Sequence, residues 1–255
     1  MRAPGVWLRT LSALGLVFLY LPIAVLMLFS LNASRLSATW QGVSWQWYEV
    51  LWRDEALRVA TGNSLLVAGV STAIVLLLGV PAAMGLELVQ ARWRRVLEPM
   101  FLLPLVIPEV MMGVALLLLF VVLQMPLSLT TVIIGHAAFN LPVAIVVIRA
   151  RLQKLDPRLL EAAYDLGATP WQAFRRVTLP LLFPAILGAM LLAFTISLDD
   201  FIVTFFVAGP GATTLPLRVY SMIKSGLSPE INALSAVLVT VSMGLVGLSL
   251  LVQRR

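Results

Sequence analysis

The 255-residue chain has no cysteine and a single histidine. The first absence excludes disulfides, thiolate metal sites and cysteine nucleophiles, without fixing a compartment. Charge is scarce too: Asp, Glu, Lys and Arg together make up 12%, where a soluble domain carries about 25%. No G-x-x-x-x-G-K-[ST] phosphate loop occurs, nor any H-E-x-x-H or G-x-S-x-G pattern. A nucleotide-hydrolysing engine, a zincin and a serine hydrolase therefore lack their signatures. What fills the chain is apolar: 60% of residues are hydrophobic, and mean hydropathy is +0.99. That composition excludes a water-soluble globular enzyme. It also excludes a disordered chain, which is poor in apolar residues. It points to a protein dissolved in a bilayer, and the net charge of +6 then reads as membrane topology rather than affinity for nucleic acid.

Five stretches carry no charge: Thr10–Ser34, Val59–Leu86, Val110–Ile148, Val177–Leu198 and Ile231–Gln253. The longest is divided by a turn candidate, Gln124-Met125-Pro126-Leu127-Ser128. Its first helix must then begin near Pro99 and carry Glu109 into the membrane. The expectation is an all-α polytopic membrane protein of one domain. Its six spans lie near residues 10–34, 61–87, 99–123, 130–149, 182–206 and 231–252, with a cytoplasmic loop at 150–181. The first span is too long for a signal-peptide core and ends without a small-x-small site, which argues against cleavage. With the N-terminus inside, the inner side holds Arg2, Arg9, Arg92, Arg94, Arg95, Arg149, Arg151, Lys154, Arg158, Arg175, Arg176, Arg254 and Arg255. The outer side holds only Arg35, Arg53, Arg58, Arg218 and Lys224. This asymmetry places both termini in the cytoplasm. The outer segment 36–58 carries Trp40, Trp45, Trp47, Tyr48 and Trp52, read as interfacial aromatics or as a surface for an external partner.

The inner loop has its own helix signals. Asp156 and Pro157 suit an N-cap and a first helical position, and Gly167 suits the left-handed residue after a helix end. The ten residues between them make a helix about 15 Å long. Leu159, Ala162, Ala163 and Leu166 share one face. Thr169-Pro170-Trp171-Gln172 starts a second helix with a capping box, running into Val177-Thr178-Leu179-Pro180. Taken as a whole, Glu161-Ala162-Ala163, then Gly167 after three residues, then Val177-x-Leu179-Pro180 after nine more, resembles the EAA loop of ABC importer permeases. Only the usual isoleucine is replaced, by Val177. The resemblance implies the type I importer fold and a coupling role toward a separate ATPase for Glu161, Ala162, Ala163, Asp165, Gly167, Leu179 and Pro180.

Three acids fall within spans. Buried charge in a bilayer is costly, so each is a functional candidate. Glu109 follows Pro108, roughly 15 Å from Pro99 along a continuous helix. Asp199 and Asp200 lie roughly 21 Å beyond Ala185. Asp199 shares a helical face with Thr195, and Asp200 shares one with Ile196 and Thr204. Pro104 and Pro108 interrupt the third span, and such interruptions are best tolerated beside a polar cavity. A path lined by Glu109, Thr195, Asp199 and Asp200 suits a cation, since carboxylates and aromatic faces complement ammonium groups. The alternative is an internal ion pair of an aspartate with Arg218 or Lys224. The lone His136 reads as a helix–helix hydrogen bond.

Ser197-Leu198-Asp199-Asp200, Gly209-Pro210-Gly211-Ala212-Thr213-Thr214-Leu215-Pro216, Ser228-Pro229-Glu230-Ile231-Asn232-Ala233, Asn32 and Trp47-Tyr48 together resemble the polyamine (spermidine/putrescine) permeases of ABC importers, in particular the second membrane subunit of putrescine importers. The similarity runs from the first span to the last. It implies a multi-pass protein of the bacterial inner membrane, in a heterodimer with a homologous permease. It also implies an ATP-binding subunit homodimer that carries ATP and Mg, a periplasmic polyamine-binding protein, and no cofactor on this chain. Gly209, Pro210, Gly211, Thr213 and Thr214 would lie at the outer gate near the binding protein. Membrane lipid is a further partner; nucleic acid is not. Three alternatives remain at this stage: a permease for an amino acid, sulfate, iron or sugar, an intramembrane enzyme, and a channel that conducts without ATP.

Overall fold

The computed structural model describes residues 6–34, 39–224, 226 and 229–253. Arg2, Arg35, Ser228, Arg254 and Arg255, used above, lie outside the described residues. Twelve α-helices follow one another among those described: α1 Val6–Phe29, α2 Gln46–Arg53, α3 Glu55–Leu88, α4 Ala91–Val106, α5 Glu109–Val122, α6 Leu129–Leu152, α7 Arg158–Asp165, α8 Pro170–Ala173, α9 Leu179–Asp199, α10 Ile202–Val207, α11 Leu215–Lys224 and α12 Pro229–Gln253. A π-helical turn, Phe174–Thr178, joins α8 to α9. The chain forms two compact units, residues 1–58 with 218–255, and residues 59–217.

In the first unit α12 packs against α1 and α2. The segment after α1 is organised by Asn32, which is almost fully buried. Its side-chain amide donates to the Thr39 carbonyl at 2.7 Å and accepts from the amides of Ser34 and Gln41. Its carbonyl accepts from Trp47 Nε1 at 2.8 Å. Tyr48 and Ser30 share a hydrogen bond of 2.7 Å. Trp47 and Tyr48 are therefore tied into the protein by hydrogen bonds. Trp52 does project, 86% exposed. Asp54 caps α3 through the Leu57 amide and accepts from Arg218 at 2.9 Å. Burial opposes its charge, but the Arg218 guanidinium and the Leu57 and Ala56 amides outweigh that and hold the carboxyl below its ordinary value. Arg218 is thus the partner of Asp54.

The second unit has two apolar clusters. One joins Val75, Ala83 and Leu86 of α3 to Ala144, Ile145 and Ile148 of α6 and Ala189 and Ala193 of α9. The other joins Val67 of α3, Leu116 and Phe120 of α5, Val132 of α6, and Val203 and Val207 of α10. Small residues bring helices close, the usual device where lipid offers no hydrophobic drive. A β-carbon on Gly113 would come within 2.6 Å of Phe206, and one on Gly135 within 3.0 Å of Val203. At the α3, α4 and α6 ends Arg149 donates to Glu87 at 2.7 Å and Glu98 at 2.8 Å.

Two expected spans are broken. Instead of one helix over 99–123, α4 and α5 meet at an angle of 105°. Pro108 supplies no amide and biases Ile107 to an extended conformation, which it adopts with ψ 131°. The depth assigned to Glu109 along a continuous helix therefore does not hold. Instead of one helix over 182–206, α9 ends at Asp199, and Asp200 is extended with ψ 124°. No proline causes this second break; the Asp200 side chain caps α10 instead, accepting from the Val203 and Thr204 amides. The helical-face pairing of Asp200 with Ile196 fails for the same reason. Among the described residues four helical segments are long and apolar enough to cross a membrane: Thr10–Phe29, Glu55–Leu88, Leu129–Leu152 and Pro170–Asp199. The bent α4–α5 pair makes a fifth if taken as one span, and the region of the sixth expected span is occupied by α12.

Candidate functional site: an acid-lined cavity

The two helix breaks are brought together. Glu109 opens α5, Asp199 closes α9, and both line a cavity of about 400 Å³ with Phe139, Thr195, Ile196, Asp200, Phe201 and Ile202. All four residues expected along the path thus share one wall. A second cavity, about 180 Å³, shares Glu109, Phe139 and Ile196 and continues along Pro104 and Met112. Discontinuous membrane helices whose ends face a cavity are a recurrent way to offer polar backbone to a substrate.

The acids differ in what holds them. Glu109 and Asp199 are exposed, and neither has an ion pair among the described residues. Asp200 is turned inward, its side chain 5% exposed and 3.0 Å from His136 Nε2. His136 Nδ1 lies 2.6 Å from Ser197 Oγ, which lies 3.1 Å from Ser71 Oγ. His136 is therefore an interhelical hydrogen-bonding residue, as expected. The Thr195 hydroxyl donates back to the Leu191 carbonyl. His136, Ser197, Ser71 and Thr204 were not singled out as site residues. The Asp200–Thr204 spacing and the lone intramembrane histidine were the signals available. Among the described residues no three His, Asp or Glu side chains are grouped as metal ligands.

The loop region keeps its expected start and stop signals. The Asp156 carboxylate accepts from the Arg158 amide, and α7 spans eight residues rather than ten. At its end the Gly167 amide donates to the Tyr164 carbonyl and the Ala168 amide to the Ala163 carbonyl, with Gly167 at φ +80°. This is a Schellman closure, which a glycine makes without a β-carbon penalty. Thr169 and Gln172 form the capping box. The π turn follows because Pro180 has no amide to continue an ordinary α-helical ladder; the Leu179 amide reaches back to Phe174. No residue of α7 is buried. Glu161, Ala162, Asp165, Gly167 and Pro180 are exposed, Ala163 and Leu179 half-buried. Between α7 and α8 lies a cleft of about 270 Å³, lined in part by Ala163, Leu166, Gly167 and Arg176.

The segment after α10, expected near the outer gate, is fastened to α3. Pro210 and Gly211 are exposed, Gly209 and Thr213 half-buried, Thr214 buried. Asn63 donates to the carbonyls of Gly211 and Thr213, and Ser64 accepts from the Leu215 amide.

Long apolar helices broken at a shared acidic cavity, with exposed short helices between α6 and α9, suit a transport subunit. Residues 75–255 match the family described as binding-protein-dependent transport system inner membrane component, and the chain belongs to that family. It is 42% identical over 253 residues to the putrescine transport system permease protein PotI of Escherichia coli strain K12, covering 96% of this chain and 89% of that one. It is 38% identical over 238 residues to the spermidine/putrescine transport system permease protein PotC of Haemophilus influenzae, covering 93% of each. The fold is similar to a chain in the crystal structure of a bacterial ABC transporter involved in the import of the acidic polysaccharide alginate. That match has a TM-score of 0.75 at 19% identity and covers 98% of this chain and 95% of that one. The chain is thus a multi-pass inner-membrane permease of an ABC importer. It works with a binding protein and partner subunits, and is not itself an enzyme.

Proposed function

We propose that this chain moves polyamines, putrescine or spermidine, through the inner membrane as one half of a permease heterodimer. Six spans place both termini in the cytoplasm. A homodimeric ATPase carrying ATP and Mg docks on α7, and a periplasmic polyamine-binding protein docks near Pro210 and Gly211. The observation that carries the reading is a pair of carboxylates with no ion pair among the described residues, Glu109 and Asp199, on one cavity that also presents Phe139 and Phe201. An ammonium group is attracted to both partners. The 42% identity to PotI supports the same substrate class. ATP binding closes the ATPase dimer and pushes on α7, and the helix ends around the cavity open toward the binding protein. Hydrolysis resets the inward-facing state.

The test is uptake in proteoliposomes holding this chain, its companion permease, the ATPase and the binding protein. Labelled putrescine, spermidine and a neutral amino acid are compared, with ATP on the ATPase side. ATP-dependent polyamine accumulation is expected. Accumulation of the amino acid alone would overturn the cation path, and flux without ATP would overturn the coupling role of α7.

A further inference from the structure

Asp200 borders the cavity, yet both oxygens of its carboxylate are already engaged within the protein. Oδ2 accepts from the Thr204 amide and hydroxyl, each at 2.9 Å, and lies 3.0 Å from His136 Nε2. Oδ1 accepts from the Val203 amide at 3.3 Å. Of the roughly four acceptor sites a carboxylate offers, the two on Oδ2 are taken and Oδ1 already accepts once, so Asp200 is held chiefly by this chain's own groups. The Thr204 hydroxyl gives its proton to Asp200. His136 Nε2 therefore faces two acceptor oxygens and carries a proton itself. On the other side of the ring Nδ1 meets Ser197, which meets Ser71. The string Ser71–Ser197–His136–Thr204–Asp200 thus links α3, α9, α6 and α10, nearly all of it buried. It holds Asp200, the first of the two residues that join α9 to α10. Asp199, the residue before it, is exposed and has no ion pair among the described residues.

We infer that His136 is a positioning residue for transport: it clamps Asp200 at the α9–α10 break, keeping that carboxylate out of the cavity and aiming the neighbouring Asp199 into it. This rests on the cation-path reading above and divides its two aspartates by role. Asp199 faces the cargo, and Asp200 sets the direction in which Asp199 points. Adjacent positions at a helix end are directionally coupled, so loss of the clamp turns both.

The absence of native cysteine makes the test direct. Asp199→Cys is introduced and the assembled complex in proteoliposomes is treated with a positively charged methanethiosulfonate, modification of this chain being followed by mass. Rapid labelling is expected. Adding His136→Leu is expected to slow it at least fivefold, and His136→Gln, which retains an N–H donor, to restore it to within twofold. The yield of assembled complex should be the same throughout. Equal labelling rates in all three backgrounds would overturn the inference. If His136→Leu prevents assembly, Ser197→Ala is used in its place, with at least a twofold slowing expected and an unchanged rate overturning the inference. Protection of Asp199→Cys by putrescine reports on the cation path separately. Without protection the path reading fails, while the labelling rates still decide whether His136 aims residue 199.

Discussion

Gly209 lies against Leu127 so closely that a β-carbon on it would stand 1.8 Å from the Leu127 carbonyl oxygen. The contact fastens the end of α10 to the turn between α5 and α6, where Thr131 also donates to the Val207 carbonyl at 2.8 Å. The obstacle is backbone, so it cannot swing aside. Gly209→Ala is expected to destabilise the protein by about 2–3 kcal/mol, read as a lower Tm of the detergent-solubilised complex. An unchanged Tm would leave Gly209 with only its expected place at the gate.

Glu161 makes no side-chain hydrogen bond or ion pair among the described residues. Reversing its charge should leave this chain intact and act only on a partner. Glu161→Lys is expected to keep the Tm of the isolated chain within about 1 °C, in line with the small cost of surface substitutions. ATPase co-purification and uptake should both be lost. Normal docking with normal uptake would sink the coupling role.

Arg149 is the only cation within reach of both Glu87 and Glu98 among the described residues, although Glu87 also meets Arg94 at 3.7 Å and Gln153. Its side chain is 11% exposed. Arg149→Met keeps the apolar stem and removes the charge. The cost should be about 1–3 kcal/mol, below the figure for fully buried pairs because both glutamates are partly solvated. Adding Glu98→Gln to that variant should recover part of the loss in a thermal melt.

Asp54 gives a pH dependence of definite sign. Its carboxyl is held below the ordinary value in the folded chain. The stabilisation is therefore complete above the unfolded value, about pH 4, and is lost as pH falls through the lowered folded value. Tm should fall with acidification in that window. Asp54→Asn should flatten the curve there and lower the plateau above it.

The loop helices were the most legible part of the chain, because Asp156, Gly167 and the Thr169–Gln172 pair act locally and need no partner to be read. The acid cluster was legible in membership but not in role. Glu109, Thr195, Asp199 and Asp200 do share a wall. Hydropathy counts only apolar length, however, and so drew one helix through each break. The break at Pro108 had its signal in the proline. The break at Asp200 depends on a cap and on His136, which lies more than sixty residues away; a contact of that range leaves no trace in local pattern. The hydrogen bond of Trp47 was illegible for a related reason. Tryptophan favours the membrane interface in general, but here the Asn32 carbonyl supplies the partner that its indole would otherwise find in water.

The uncovered face of α7 also bears on how the protein is made. Leu159 is 45% exposed, Tyr164 46%, Leu166 89% and Trp171 66%, so the described residues leave much of this apolar surface open. A subunit synthesised in excess of its partners would carry an adhesive patch into an aqueous compartment, open to proteases and to self-association. If the ATPase docks on α7 as proposed, subunit dosage becomes part of the protein's physical chemistry, because matched translation of the assembly would then cover this surface.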